Sequence, residues 1–124
     1  MSTLYIARFI ISFSWIYHGI FPKLLHIAPL EHAMTASIGL SETTSYWITK
    51  SAGVAEVVFG LCVFIYFRVR WVIYLNILAL TGLLMLVALL YPVVLIDAFN
   101  PVTTNITLIA LSLILLNNLN QKKG

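Results

Sequence analysis

Charged side chains are scarce in this sequence. Only 9% of its 124 residues are Asp, Glu, Lys or Arg, whereas 61% are hydrophobic. A soluble domain of this size usually carries about 25% charged residues. So few polar groups could not cover the core in water, which excludes an ordinary soluble domain. Lipid must be the solvent for most of the chain, and the length fits one domain.

Cysteine is almost absent, since Cys62 is the only one. Dithiol–disulfide exchange needs a pair of thiols, so four-span thiol oxidases and disulfide-forming enzymes are excluded as activities of this chain alone. Cys62 lies in an apolar run and is expected to be inert packing. The basic residues are few and scattered, so the net charge of +3 does not indicate nucleic-acid binding.

Long apolar runs are what the sequence does contain, and they define its fold class. A bilayer core of about 30 Å needs about 20 helical residues. The fourth run is shorter than the others, and its helix should begin near Pro101, because proline suits the first turn of a helix. We predict an all-α, membrane-embedded four-helix bundle that forms a single domain over residues 1–124. The predicted spans cover residues 4–21, 47–67, 71–91 and 102–116.

The first run is expected to be a retained span, because it has no early Lys or Arg and no small-residue cleavage site follows it. The distribution of cations predicts the orientation of the bundle. Arg68 and Arg70 link spans two and three, and Lys122 and Lys123 end the chain, on the side of the N-terminus. Since Lys and Arg concentrate on the cytoplasmic side, both termini are predicted to be cytoplasmic.

The linker between the first two spans, residues 22–46, then faces outward. In this linker Leu30, Met34 and Ile38 recur every four residues, which predicts a short amphipathic helix on the outer leaflet. Ser41, before Glu42 and Thr44, is expected to form a turn into the second span.

Polar residues within the spans are costly in lipid, so each one suggests a function. At about 100° per residue, they fall into stripes that the simplest bundle turns inward. Small residues on both sides of Glu56 should let a neighbouring helix approach closely. The stripes are Arg8, Ser12, Trp15, Gly19 and Lys23, flanked by His18, on span one; Thr49, Gly53, Glu56 and Gly60 on span two; Asn76 on span three; Asn105 and Ser112 on span four.

Glu56 should lie near the middle of the bilayer, where an ionised carboxylate costs several kcal/mol unless it is paired. It is therefore expected to bond to Arg8, His18 or Lys23, or to stay protonated. Structural roles remain open for each polar residue: an ion pair for Glu56, a cross-bundle hydrogen bond for His18, snorkelling for Arg8 and interhelical bonds for Asn76 and Asn105. For Lys23, snorkelling to the headgroups is the favoured interpretation. Taken together, the set predicts a binding site.

The residue types narrow the kind of site. Haem needs two axial ligands at matching depth, and His18 is the only span histidine, with Met85 a weak second ligand, so haem is disfavoured. The His, Cys and carboxylate residues are too few to predict a metal site. A small lipophilic ligand such as a quinone fits better: His, Lys or Glu would bond its polar head, and Trp15, Tyr17 and Phe21 would form an aromatic wall.

Several short motifs occur in order along nearly the whole chain. They are Arg8 early in span one, WIYHGIFPKLL at its end, EHAM in the linker, GVAEVVFG in span two and DAFNPVTTN entering span four. In these motifs the sequence resembles the DoxX-like family of small four-span bacterial membrane proteins. The matching residues are Arg8, Trp15, Gly19, Pro22, Lys23, Glu31, Glu56, Gly60, Phe99, Asn100, Pro101 and Asn105.

The resemblance implies a four-helix bundle in the bacterial inner membrane. Relatives are linked to oxidoreduction, including a thiosulfate:quinone oxidoreductase subunit and a membrane oxidoreductase complex. This chain lacks a cofactor domain, so a redox partner protein would have to supply the electrons.

Asn100 is expected to cap the fourth helix, whose free amides, with Lys23 and Lys50, would form a partly positive outer vestibule that favours an anion.

The predicted function is binding of a lipophilic or anionic ligand between spans one, two and four, in support of an oxidoreductase system. The predicted ligand-binding residues are Trp15, His18, Lys23, Glu56, Asn100 and Asn105; Arg8 and Asn76 are structural, and no catalytic residue is assigned. A non-enzymatic membrane subunit or assembly factor is the alternative, a channel or transporter is a third interpretation, and a homo-oligomer is left open.

Overall fold

A computed structural model describes residues 2–25, 29–96 and 100–121, and its elements are helical throughout, with no strand among these residues. A π-helical segment, Ile20–Leu25, continues the first helix, and a short 3₁₀ helix, Pro92–Ile96, follows the fourth. The α-helices are α1 (Thr3–Gly19), α2 (Pro29–Ser37), α3 (Glu42–Ile65), α4 (Arg70–Leu90) and α5 (Pro101–Gln121). Four of them, α1 with its continuation, α3, α4 and α5, are long and apolar enough to cross a membrane. The predicted all-α membrane bundle is confirmed.

Three of these four helices extend beyond the apolar runs, whereas α4 has the length predicted for its run. The first continues to Leu25, α3 begins at Glu42 and α5 ends at Gln121, so the fourth span is not shorter than the third. Polar capping residues explain part of the extension at the helix starts. The Ser41 side chain accepts a hydrogen bond from the Thr44 amide at 3.3 Å, which satisfies an amide that has no partner within the helix. Hydropathy underestimates span length because helices continue into the polar interface.

The linker helix α2 matches the short helix predicted there, and it contacts both α3 and α4. Gly39, with a φ of 77°, turns the chain from α2 towards α3, a conformation that glycine adopts without steric cost. A hydrogen bond joins the hydroxyls of Thr35 and Ser45 and ties α2 to α3. We call this end of the bundle the α2 end. The opposite end, where α1 begins and the α3–α4 turn lies, is the Arg68 end.

Glycines bring α1 and α3 into backbone contact. A Cβ added to Gly19 would lie 2.6 Å from the carbonyl oxygen of Gly53, and one added to Gly60 would lie 3.0 Å from the carbonyl oxygen of Ser12. Real Cβ atoms do not approach backbone so closely, so these positions require glycine. The predicted close approach of a helix beside Glu56 is confirmed, and the neighbour is α1.

A buried hydrogen-bonded chain connects α1, α4 and α5. The Trp15 indole Nε1 donates to Asn76 Oδ1 at 2.6 Å, and Asn76 Nδ2 donates to Ser112 Oγ at 2.6 Å. Ser112 in turn donates to the Leu108 carbonyl at 2.7 Å. Asn76 and Ser112 are fully buried. These contacts support the structural role predicted for Asn76, because buried amide groups need partners in an apolar environment.

Candidate functional site

A cavity of about 440 Å³ lies at the α2 end of the bundle and is lined by residues of all five α-helices. Most of its walls are aliphatic. Five of the six predicted ligand-binding residues line it: Trp15, His18, Lys23, Glu56 and Asn105. Residues from three helices that the sequence places far apart are thus brought to one cavity.

An ion pair forms the charged part of the cavity wall. Lys23 Nζ lies 2.9 Å from Glu56 Oε1, and each residue is only 9% exposed. The expected snorkelling of Lys23 is therefore wrong: its side chain turns into the protein rather than towards the headgroups. A buried carboxylate needs a nearby cation and hydrogen bonds to remain ionised, and Lys23 supplies both.

The π-helical segment places Lys23 at this position. Buried α1 residues Ile11, Trp15 and Gly19 recur every four residues, and Lys23 continues the series. On a regular α-helix each step of four overshoots one turn by about 40°, so a long series drifts off the face. The wider π turn offsets this drift. Pro22 lies in this segment, where its missing amide donor is compatible with a rearranged bond pattern.

Glycine also admits Lys23 to the interface. A Cβ on Gly53 would lie 2.9 Å from the Cβ of Lys23, so a larger residue there would displace the lysine. Lys50 supports the same segment from α3, since its Nζ donates to the Leu24 carbonyl at 2.6 Å. Lys50 does not line the cavity, and its expected convergence with Lys23 on a shared vestibule is wrong. It stabilises the rearranged helix end instead.

The remaining predicted residues of the cavity wall differ in the chemical group that a ligand could contact. Trp15 presents its ring, because its indole N–H is bonded to Asn76; its ring also packs edge-on against Phe59, with centroids 4.9 Å apart. Asn105 Nδ2 donates to the Leu80 carbonyl at 2.9 Å, which leaves its carbonyl oxygen as the group able to accept a bond. His18 is exposed and its ring stands edge-on to Tyr17, with centroids 6.3 Å apart.

Asn100 lies outside the cavity lining. Its Oδ1 accepts hydrogen bonds from the Val102 and Thr103 amides at 2.9 and 3.2 Å, which is the predicted helix cap. The same contacts correct the predicted anion site at this helix N-terminus, because the Asn100 side chain already occupies two of its amides. Phe99 lies outside the described residues, as does the side chain of Glu31.

Two of the three expected wall aromatics are elsewhere. Tyr17 and Phe21 pack against each other with tilted rings, centroids 4.5 Å apart, and are 47% and 45% exposed, on the outer face of α1 and its continuation. They fail to line the cavity because α1 turns them about 160–200° away from Gly19 and the α3 interface. Met85, the weak second haem ligand, is 56% exposed on α4 and is also absent from the lining.

Sequence analysis did not predict two of the elements that line the cavity. Helix α2 contributes Met34 and Thr35, the turn after it contributes Ile38, and the third span contributes residues such as Leu83 and Val87. The site was expected between spans one, two and four. The regular spacing in α2 was a usable signal, since its apolar face needs a partner. Span three carried no signal, because its aliphatic residues look alike whether they face lipid or a cavity.

Arg8 lies at the Arg68 end, far along α1 from Lys23. Its Nε donates to the Phe64 carbonyl at 2.7 Å, and its guanidinium lies 3.9 Å from the centroid of the Phe64 ring. The side chain therefore joins α1 to the end of α3 and takes no part in the cavity. Within the described residues, no group of three or more His, Cys, Asp or Glu side chains could hold a metal ion.

Comparison with known proteins identifies the fold family. The sequence model of the DoxX-like family matches residues 12–113. No curated protein and no solved structure matches the chain. The matched range contains the cavity residues of α1, α3, α4 and α5 and the glycine contacts between α1 and α3. With four membrane-spanning helices and a family match over most of its length, the chain is a multi-pass membrane protein that belongs to the DoxX-like family.

Proposed function

We propose that the cavity at the α2 end binds a small lipophilic molecule whose polar end accepts hydrogen bonds, such as a quinone. The single observation that carries this proposal is the buried pair of Lys23 and Glu56 on the wall of an otherwise mostly aliphatic cavity. Ligand sites typically combine apolar walls with a few polar groups that orient the ligand.

The size and lining of the cavity suit this class of ligand. A volume of about 440 Å³ lies within the range of roughly 300–1,000 Å³ found for small-molecule sites. Aliphatic side chains of α4 and α5 would contact the ring and the start of a lipophilic tail. The Trp15 ring offers a flat surface for stacking, and α2 and the turn after it cover the cavity with Met34 and Ile38.

The polar groups determine how the head of the ligand would be held. The Lys23 ammonium can donate to a carbonyl oxygen, and its charge also favours an anionic form of the ligand. Glu56, bonded to Lys23, can accept or return a proton at the same point. His18 and Asn105 line the cavity on other helices and would orient the ligand. Asn100 takes no part in the proposal, because its side chain caps α5.

We further propose that the bound molecule serves an oxidoreductase system in the inner membrane of a bacterium. Reduction of a quinone to a quinol consumes two electrons and two protons. A separate redox protein would supply the electrons, and Glu56 is placed to exchange a proton with the bound head. The family match supports the membrane bundle; the redox role rests on the chemistry of the cavity.

The alternative function is a non-enzymatic membrane subunit whose buried polar groups only stabilise the bundle. One observation favours it: the pair of Lys23 and Glu56 connects the continuation of α1 to α3, directly beside the Gly53 contact. Removing either charge would then unfold the protein without any effect on a ligand. A test must therefore separate binding from stability.

The first experiment measures what the protein binds. The protein is purified in mild detergent, its ultraviolet–visible spectrum is recorded, and an organic extract is analysed by mass spectrometry. Decylubiquinone is then titrated in, and binding is followed by quenching of Trp15 fluorescence in a Trp47→Phe, Trp71→Phe background. We expect a near-stoichiometric quinone in the extract and saturable quenching. A Soret band would point to haem instead, with His18 as the first ligand to test.

Matched variants separate the two functions. Glu56→Gln should lower quinone occupancy at least tenfold, while Glu42→Gln, at an exposed glutamate, should leave it unchanged. The double variant Lys23→Met, Glu56→Leu removes both charges together, which buried pairs often tolerate; it should fold and bind no quinone. Unchanged occupancy in Glu56→Gln, or an extract containing only bulk phospholipid, would favour the structural subunit.

A further inference from the structure

A second groove, of about 410 Å³, lies on the surface at the Arg68 end, at the opposite end of α1 from the cavity. It runs between the first turns of α1 and the last turn of α3. Its floor and walls are apolar or aromatic except for one guanidinium and one phenol. The lining residues are Tyr5, Ile6, Arg8, Phe9, Ile10 and Phe64.

Arg8 holds a fixed position in this groove. It is about 8 Å along the helix axis from Thr3, given a rise of 1.5 Å per residue. The Nε bond to the Phe64 carbonyl and the cation–π contacts with the Phe64 and Phe67 rings, at 3.9 and 4.4 Å from their centroids, orient its guanidinium. Neither Nη group donates a hydrogen bond to any residue that the structure describes. The fork of the guanidinium thus remains able to bind an anion.

A second arginine lies beside the first. Arg68 Nη2 is 3.4 Å from the Tyr5 hydroxyl, and its guanidinium lies 5.2 Å from the centroid of the Phe67 ring. Both guanidinium groups therefore neighbour the same aromatic ring, and Tyr5 links Arg68 to the groove. Arg68 is in the turn between two spans, whereas Arg8 is deeper in the helix. The two arginines together place positive charge at two depths, at the headgroup level and within the groove.

This end of the bundle has no acidic side chain to balance its cations. The sequence contains no Asp or Glu in residues 1–30, 57–96 or 98–124, which include the start of α1, the α3–α4 turn and all of α5. Arg8, Arg68 and Arg70 therefore lack a carboxylate partner on any of these elements. A cation within a membrane span is costly and requires a counter-charge or water. Lipid phosphate is the anion available at this depth.

We propose that the groove binds an anionic phospholipid. Its phosphate would contact Arg8 and Arg68 through charge-assisted hydrogen bonds, which guanidinium groups form with particular strength. One acyl chain would lie along Ile6, Phe9 and Ile10. A zwitterionic lipid carries its own cation and would leave the two arginines less well neutralised, so the groove should select lipids with net negative charge.

Native mass spectrometry of the protein in detergent tests this proposal. Phosphatidylglycerol and phosphatidylcholine are added in equal amounts, and the retained lipids are counted. We expect preferential retention of one phosphatidylglycerol. Affinity should fall about tenfold in Arg8→Gln and about fivefold in Arg68→Gln. Arg70→Gln is the matched control, since it removes the same charge at the same end, whereas it is Arg68 that bonds to Tyr5 of the groove and lies over Phe67; the affinity of this control should stay within about twofold of wild type.

A further variant distinguishes loss of lipid binding from misfolding of the protein. Ile6→Trp fills the groove, makes no change to the arginine contacts, and alters a residue that is 45% exposed. It should reduce phosphatidylglycerol retention while the melting temperature without added lipid stays unchanged. Equal retention of both lipids would overturn the proposal, as would equal losses in Arg68→Gln and Arg70→Gln. Displacement of the lipid by millimolar inorganic phosphate would show that the site recognises a free anion rather than a lipid.

Discussion

Single residues at the two ends of α1 show how a cation is accommodated in lipid. Lys23 is buried against Glu56, whereas Arg8 bonds to a backbone carbonyl and lies over two phenyl rings. The compact ammonium of lysine can pair closely with one carboxylate. The planar guanidinium of arginine suits aromatic faces and forked hydrogen bonds. Exchanging the two residue types would therefore be disruptive at either position.

Removing one member of the buried Lys23–Glu56 pair should destabilise the protein much more than removing both members. We expect Glu56→Leu to lower the free energy of unfolding by about 3–5 kcal/mol, because it leaves the Lys23 charge without its carboxylate. The double variant Lys23→Met, Glu56→Leu should recover most of this loss. Thermal or SDS-induced unfolding in detergent measures both effects. Equal instability of the single and double variants would contradict the expectation, since the charge imbalance would then not be the cause.

The Trp15–Asn76 hydrogen bond should contribute measurably to stability. A double-mutant cycle with Trp15→Phe and Asn76→Leu isolates their interaction, and we expect a coupling of about 0.6–1.7 kcal/mol, the range found for hydrogen bonds between membrane helices. The cycle is measured by unfolding in the same detergent. Asn105→Leu with Trp15→Phe provides a control pair with no hydrogen bond between them, and additive effects are expected there. A coupling near zero for Trp15 and Asn76 would assign the burial of Asn76 to packing alone.

At the scale of elements, the contact between α1 and α3 sets the geometry of the cavity. Gly19, Gly53 and Gly60 allow the backbones to touch, and the π turn keeps Lys23 on the touching face. The two features depend on each other. If the helices separated, Lys23 would lose Glu56; if α1 ended as a regular helix, Lys23 would rotate away from α3.

Adding one methyl group should test this contact. Gly19→Ala places a Cβ 2.6 Å from the Gly53 carbonyl, so the helices must separate and we expect a loss of about 1–3 kcal/mol, typical of overpacking. Gly82→Ala is the control, because no atom lies within 4 Å of its added Cβ. It should be neutral or stabilising by up to about 1 kcal/mol, since alanine is the better helix former. Unfolding midpoints give the comparison, and a Gly19→Ala variant as stable as Gly82→Ala would contradict it.

For the whole molecule, the unequal distribution of charge predicts the orientation in the membrane. Lys23 and Lys50 are engaged inside the protein at the α2 end, while Arg68 and Arg70 flank the turn at the other end. Lys122 and Lys123 lie outside the described residues. Accessible Lys and Arg residues are concentrated on the cytoplasmic side of membrane proteins, so we predict that the Arg68 end faces the cytoplasm.

Cysteine labelling checks this orientation. In a Cys62→Ser background, Ser37→Cys at the α2 end should react with a membrane-impermeant maleimide added to intact spheroplasts. A cysteine at Asn120, near the end of α5, should react only after the membrane is permeabilised. Both residues are exposed in the structure, so the comparison reports sidedness rather than burial. The reverse pattern would place the termini outside.

Local patterns in the sequence were sufficient for the spans, the caps and the helix contact. The four apolar runs predict the bundle because lipid requires about 20 apolar residues per span. Asn100 was predicted as a cap because a helix start leaves amides that nearby side chains satisfy, and Ser41 was predicted to form the turn into the second span. Gly53 and Gly60 marked a close contact because they lie on the same face of the second span, on both sides of Glu56.

Only the tertiary structure decided what these residues do together. It paired Lys23 with Glu56 rather than with a headgroup, placed α2 over the cavity, and added the third span to its walls. It also separated Asn100, Tyr17 and Phe21 from the site. These outcomes depend on helix rotation and on distances between helices, which a π turn or a glycine can change. Hydropathy and spacing within one segment contain no information about the rotation of a helix or its distance from its neighbours.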